Sequence, residues 1–111
     1  MKVLIIRFRL QGVDHETYAT TAGQLAPEIA RAPGLVTKWW IDGAETGTYG
    51  GVYLFTDQQA IDQYLTSPTI AGFVSSGVPI DLQTEILDVL SAATAITAGP
   101  VAGSFPAKAA A

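Results

Sequence analysis

The residues in this chain best suited to act on an organic molecule lie between Pro33 and Phe55. One lysine, Lys38, is followed directly by Trp39 and Trp40, and a second aromatic run follows at Gly50-Gly51-Val52-Tyr53-Leu54-Phe55. Aromatic walls hold flat ligands, and a few polar groups among them fix orientation. Alternation along a strand puts Lys38 and Trp40 on one face, so the ammonium can lie over the indole, and puts Trp39 on the other. Tyr53 and Phe55 likewise share a face. The segment could therefore hold an aromatic molecule in an otherwise acidic domain that offers little other chemistry.

Around it the sequence reads as one small domain. Val3 to Leu10 has strand character, with Leu4, Ile6, Phe8 and Leu10 on one face and Val3, Ile5, Arg7 and Arg9 on the other. Asp14 is an N-cap for a helix reaching about Ala32, in which Pro27 predicts a kink or a new helical start. Pro33-Gly34 ends that helix. Strands follow over Leu35 to Asp42 and Thr48 to Thr56, joined by a short polar turn. Thr56-Asp57 caps a second helix, Ser67-Pro68 breaks it, and a helical turn follows over Ile70 to Ser75. Leu82 to Leu90 is the last strand. The order β-α-β-β-α-β is the ferredoxin-like α+β pattern, a four-stranded antiparallel sheet with both helices on one face.

Such a sheet in a monomer should leave its second face polar, yet strands two and four carry apolar residues on both faces. Face-to-face pairing of two sheets would cover them, so a homodimer is expected. We expect residues 1–90 to form the domain and the alanine-, glycine- and proline-rich residues 91–111 to form a tail or an arm on the dimer partner.

Composition narrows the function. Of 111 residues only 14% are charged, the net charge is −4, and no basic cluster offers a phosphate footprint, so no nucleic-acid partner is expected. There is no cysteine, hence no thiol nucleophile or thiolate metal site. His15 is the single histidine and follows the expected N-cap, which predicts an exposed side chain rather than a haem ligand or general base. No spacing clusters three metal ligands, and no Ser/His/Asp arrangement stands out. A strand pattern from residue 2 and the lack of a long apolar run predict no signal peptide and no membrane segment, with the cytoplasm as the default location.

Pro33-Gly34-Leu35, Lys38, Trp40 and the run from Gly50 to Asp57 resemble the YdhR-like family of monooxygenases, as does Gln24-Leu25-Ala26-Pro27 in the first helix. The family belongs to the dimeric α+β barrel group, with the antibiotic-biosynthesis monooxygenases. The resemblance follows the chain from Val3 to about Val89. It implies a homodimer with a pocket beside each sheet. It further implies oxidation of a small aromatic or quinone-like substrate by dioxygen without metal, haem or flavin. An electron-rich phenolate can itself give an electron to dioxygen, so the protein need only ionise, orient and desolvate it.

On that reading Lys38 stabilises the phenolate or enolate and Tyr53 donates a proton or orients a substrate oxygen. Trp40 and Phe55 are walls, Gly51 leaves room for the ligand, and Arg7 is a minor anion-binding candidate. Each has a plainer alternative. Lys38 at a sheet margin would keep its ammonium in water. Tyr53 and Phe55 could simply fill the core. Gly50-Gly51 could mark a bulge. A buried Arg7 would need Asp88 or Glu85, and an exposed one would be a solvated edge residue. The rival function is a non-catalytic dimeric module that binds or sequesters a hydrophobic small molecule.

Overall fold

The computed structural model describes residues 1–98. The first strand, β1, spans Lys2–Leu10, followed by α1 (His15–Ile29), β2 (Leu35–Ile41) and β3 (Tyr49–Phe55). Then come α2 (Gln58–Leu65), α3 (Pro68–Ser75), β4 (Pro79–Asp88) and α4 (Ser91–Thr97). The strands form one antiparallel sheet in the order β2-β3-β1-β4. This is the ferredoxin-like α+β arrangement expected from the sequence.

Helix starts follow the capping chemistry. Asp14, Asp57 and Ser67 each accept a hydrogen bond from a backbone N–H in the first turn of α1, α2 and α3, which satisfies donors the helix itself cannot. Pro68 opens α3, where its missing N–H costs nothing. Pro27 does not start a new helix. It sits in the last turn of α1, and the carbonyl deprived of its donor belongs to the exposed Gly23, which water can reach.

Register decides which side chains meet. Lys38 pairs with Tyr53, and Tyr53 with Leu4 across β1; Trp40 pairs with Gly51, and Gly51 with Ile6. Opposed residues of an antiparallel pair share a face, so all of these point to one side. That side carries the main core, where Leu4, Ile6, Phe8, Tyr49, Tyr53 and Phe55 pack under Tyr18 and Ile29 of α1 and Ala60, Ile61 and Tyr64 of α2. Phe55, Leu4 and Ile61 are fully enclosed, each worth roughly 1.5–3 kcal/mol of burial.

Three elements differ from the sequence expectation. A full helix, α3, starts at Pro68 under the Ser67 cap, where only a turn from Ile70 was expected. β4 begins at Pro79 rather than Leu82, because Ile80 and Pro79 pair with Arg9 and Leu10 beyond a register shift. Asp81, at that shift, has a positive φ of 53°. The alanine-rich stretch after Asp88 is not featureless: Ser91–Thr97 forms α4, and Ala95 packs on Leu54 beside Val3, Val36 and Val89. Those residues lie on the sheet face opposite the main core. The remainder of the expected tail, 99–111, lies outside the described residues.

Candidate functional site

A narrow cavity of about 60 Å³ lies between the sheet and α1–α3. Ile6, Phe8, Lys38, Trp40 and Tyr53 form its floor with the backbone of Gly50; Tyr18, Ala22, Leu25 and Ile29 of α1 and Tyr64 of α2 form part of its roof. Val74, Leu82 and Thr84 also line it and are exposed, so the mouth lies between α3 and β4.

Among the described residues Lys38 is the one cationic side chain on this wall. Its Nζ lies 3.3 Å from the centroid of the Trp40 ring and 4.5 Å from that of Tyr53. Among the described residues it has no carboxylate partner. Burial pushes the pKa of the amine down from 10.5 to about 7. The two rings oppose this by favouring the ammonium, such a contact being worth about 2 kcal/mol where it is desolvated. Desolvation over that interval is worth about 5 kcal/mol, so it prevails. Near neutral pH the side chain divides between ammonium and free amine.

The site is built around the lysine. A Cβ on Gly51 would lie 2.6 Å from Lys38 Cε and 3.0 Å from Tyr53 Cε1, so the bare backbone of β3 is what gives the side chain its berth. Gly51 thus makes room for Lys38 rather than for a ligand directly. Gly50, the glycine that does line the cavity, has φ 138°, and a Cβ there would fall 1.8 Å from the Ile6 carbonyl oxygen. Only glycine fits.

Beside the amine are hydroxyls that keep their protons. Tyr64 Oη donates to Tyr53 Oη at 3.1 Å. Burial raises the pKa of Tyr53 and Tyr64, and that of Tyr18 reaches about 12. Tyr53 is therefore a reluctant acid. What it can offer is a hydrogen bond that orients a ligand oxygen.

Lys38, Trp40 and Tyr53 come together, but the other named candidates do not. Phe55 is one row further along, wholly buried, stacked on Tyr53 at 5.9 Å between ring centroids; it backs the tyrosine and does not line the cavity. Arg7 pairs with Gly50 and Gln83 on the outer face and makes an exposed ion pair of 3.6 Å with Glu85. It cannot reach the cavity through the sheet. Asp88, the other expected partner, pairs with Lys2 at 2.6 Å. Trp39 is 52% exposed on that same outer face.

His15 is not simply solvated, since its Nδ1 lies 3.0 Å from Tyr49 Oη and 3.8 Å from Asp42. It joins the start of α1 to the sheet outside the cavity. The roof tyrosines, Tyr18 and Tyr64, were not foreseen as site residues. Their helical spacing, in phase with Ala22 and Leu25 and with Ala60 and Ile61, was the available signal.

The sequence matches the family described as "Putative mono-oxygenase ydhR" over residues 3–100. The chain belongs to the YdhR mono-oxygenase family. Solved structures share its fold. The cofactor-independent oxygenase SnoaB of Streptomyces nogalater is 16% identical with a TM-score of 0.64, over 80% of this chain and 92% of that one. A Deinococcus radiodurans protein described as a "putative antibiotic biosynthesis monooxygenase" is 12% identical with a TM-score of 0.67, over 80% and 92%. The protein NE2512 of Nitrosomonas europaea, of unknown function, is 15% identical with a TM-score of 0.69, over 82% and 90%. Comparison with curated proteins gave no match.

In this YdhR-family chain no helix among the described residues is long and apolar enough to cross a membrane. Nor does any group of three His, Asp or Glu among them stand where it could hold a metal ion.

Proposed function

We propose that the protein is a cofactor-independent monooxygenase acting on a small phenolic or quinone-like aromatic in the cavity over Lys38. The observation that carries this reading is a desolvated amine held against two aromatic rings, with no carboxylate beside it among the described residues. A phenol entering beside it can pass its proton to the free amine. The product is a phenolate facing an ammonium in an apolar enclosure, where their attraction is strong. The phenolate then gives an electron to dioxygen, and recombination of the aryloxyl radical with superoxide forms a carbon-bound peroxide. The peroxide takes the proton back from Lys38, and its O–O bond breaks as the ring C–H proton leaves with the distal oxygen, giving a quinone and water. Tyr53 orients the substrate oxygen and Trp40 holds the ring.

The cavity is narrow, so a ring must displace part of its wall. Every residue of α3 is at least partly exposed, which makes that helix the wall with least packing to lose. A homodimer formed through the outer sheet face fits the same reading. Trp39 and Leu87 leave an apolar surface there that α4 does not cover.

Oxygen-electrode assays with a panel of mono- and polyhydroxylated aromatics test the proposal. Turnover that collapses in Lys38→Ala supports it, and turnover indifferent to that change removes Lys38 from the mechanism. One feature favours the rival reading of a binding or sequestering module: among the described residues, the cavity's ionisable groups besides Lys38 are tyrosines whose pKa values burial raises. Tight binding across the panel with no oxygen uptake would decide for that reading.

A further inference from the structure

The surroundings of Lys38 fit a second kind of chemistry that needs no oxygen. An amine condenses with a carbonyl only as the free base, and only if the carbonyl carbon can approach its lone pair. An anionic partner would keep the nitrogen protonated and turned away, yet none stands beside Lys38 among the described residues. The nitrogen is held instead against Trp40 and Tyr53. The side chain borders two spaces, since Lys38, Trp40 and Ile29 line both the inner cavity and a groove of about 260 Å³ along the β2 edge.

We propose that Lys38 is an imine-forming residue whose Nζ captures the carbonyl group of a small aromatic aldehyde. The Nζ lone pair forms a bond to the carbonyl carbon as the carbon–oxygen π pair moves to oxygen. A proton passes from nitrogen to that oxygen, giving a carbinolamine. Loss of the oxygen as water then leaves a carbon–nitrogen double bond, with no change of oxidation state. The aryl group lies between the rings that now flank the ammonium. The desolvation that lowers the amine's pKa supplies the free base at neutral pH. The proposal rests on the reading of Lys38 as the reactive group of the cavity, and not on dioxygen.

The full chain is incubated with benzaldehyde and sodium cyanoborohydride at pH 7, and the benzyl adducts are located by peptide mass mapping. Lys2, paired with Asp88 on the protein surface, is the reference within the same molecule. About half of an amine with pKa near 7 is free base at that pH, against less than about a thousandth for an ordinary lysine. Allowing for restricted access, labelling of Lys38 should exceed that of Lys2 roughly tenfold or more. The preference should vanish in urea. Lys38→Arg, checked for folding by circular dichroism, should lose the adduct and leave labelling of Lys2 unchanged.

Equal labelling of the two lysines in the folded protein, or a preference that survives in urea, overturns the proposal. Oxygen uptake is measured separately on the phenol panel. An adduct without uptake keeps the imine and rejects the monooxygenase; uptake without an adduct does the reverse.

Discussion

Replacing Lys38 with methionine should stabilise the fold at neutral pH and abolish a rise in stability toward pH 9. Burial takes the amine from 10.5 to about 7, so between those values the native state holds it neutral while the unfolded chain keeps it charged. The unfolded state then binds more protons, and stability increases with pH. The penalty is complete below pH 7, shrinks as pH rises, and is gone above the unfolded pKa. Integrated from pH 7 to pH 9, the difference is roughly 2 kcal/mol. Solvent reaching the partly buried amine trims this to between about 1 and 2 kcal/mol.

The tyrosines stay clear of that window. Tyr18 holds its proton to about 12, so the stability it contributes is fully present below pH 10 and is lost above it. Urea unfolding at pH 7, 8 and 9, followed by circular dichroism, gives the slope directly. Methionine is one atom shorter than lysine but equally unbranched and carries no charge, so at pH 7 the variant should gain ~2 kcal/mol or more even after the small space it leaves. A wild-type slope that is flat or falling, or an unchanged slope in Lys38→Met, would show that the amine remains a solvated ammonium. The free-base reasoning would then fail.

Three further outcomes test neighbouring parts of the structure. Gly51→Ala should expel the lysine from its berth, costing about 1–3 kcal/mol in chemical denaturation and flattening the same pH slope. Tyr53→Phe leaves the Tyr64 hydroxyl without its acceptor and should cost about 1–3 kcal/mol, read by thermal unfolding, with less change if Tyr64 finds a water. Trp39→Glu should shift the protein to monomer in sedimentation velocity at micromolar concentration while its circular dichroism stays unchanged; an unchanged sedimentation coefficient would remove the outer face from any dimer interface.

Much of the architecture was legible because periodicity and capping carry it. Asp14 and Asp57 announce two helices, and alternation separates Lys38 and Trp40 from Trp39; Ser67-Pro68 read only as a break, although Ser67 caps α3. What alternation cannot supply is register. It places Tyr53 and Phe55 on a common face but not the row of each, and one row separates a residue beside the lysine from one sealed beneath α2. Arg7 was ambiguous for a related reason: which face of β1 meets the helices is a property of the assembled sheet. The helix α4 was missed because alanine and glycine beside proline read as a flexible tail, whereas Ala95 needed only the small flat surface of Leu54 to pack against. The tyrosines of α1 and α2 escaped notice as polar groups because their spacing marked them only as core.

The fit between Lys38 and Gly51 has a consequence for how this site can vary over time. A side chain at position 51 would crowd the lysine, and a shorter residue at position 38 would leave a hollow over the bare strand. Neither position can drift alone without disturbing the other, so the pair should behave as a single heritable unit. Loss of the lysine in a related chain should therefore leave the glycine freer to change.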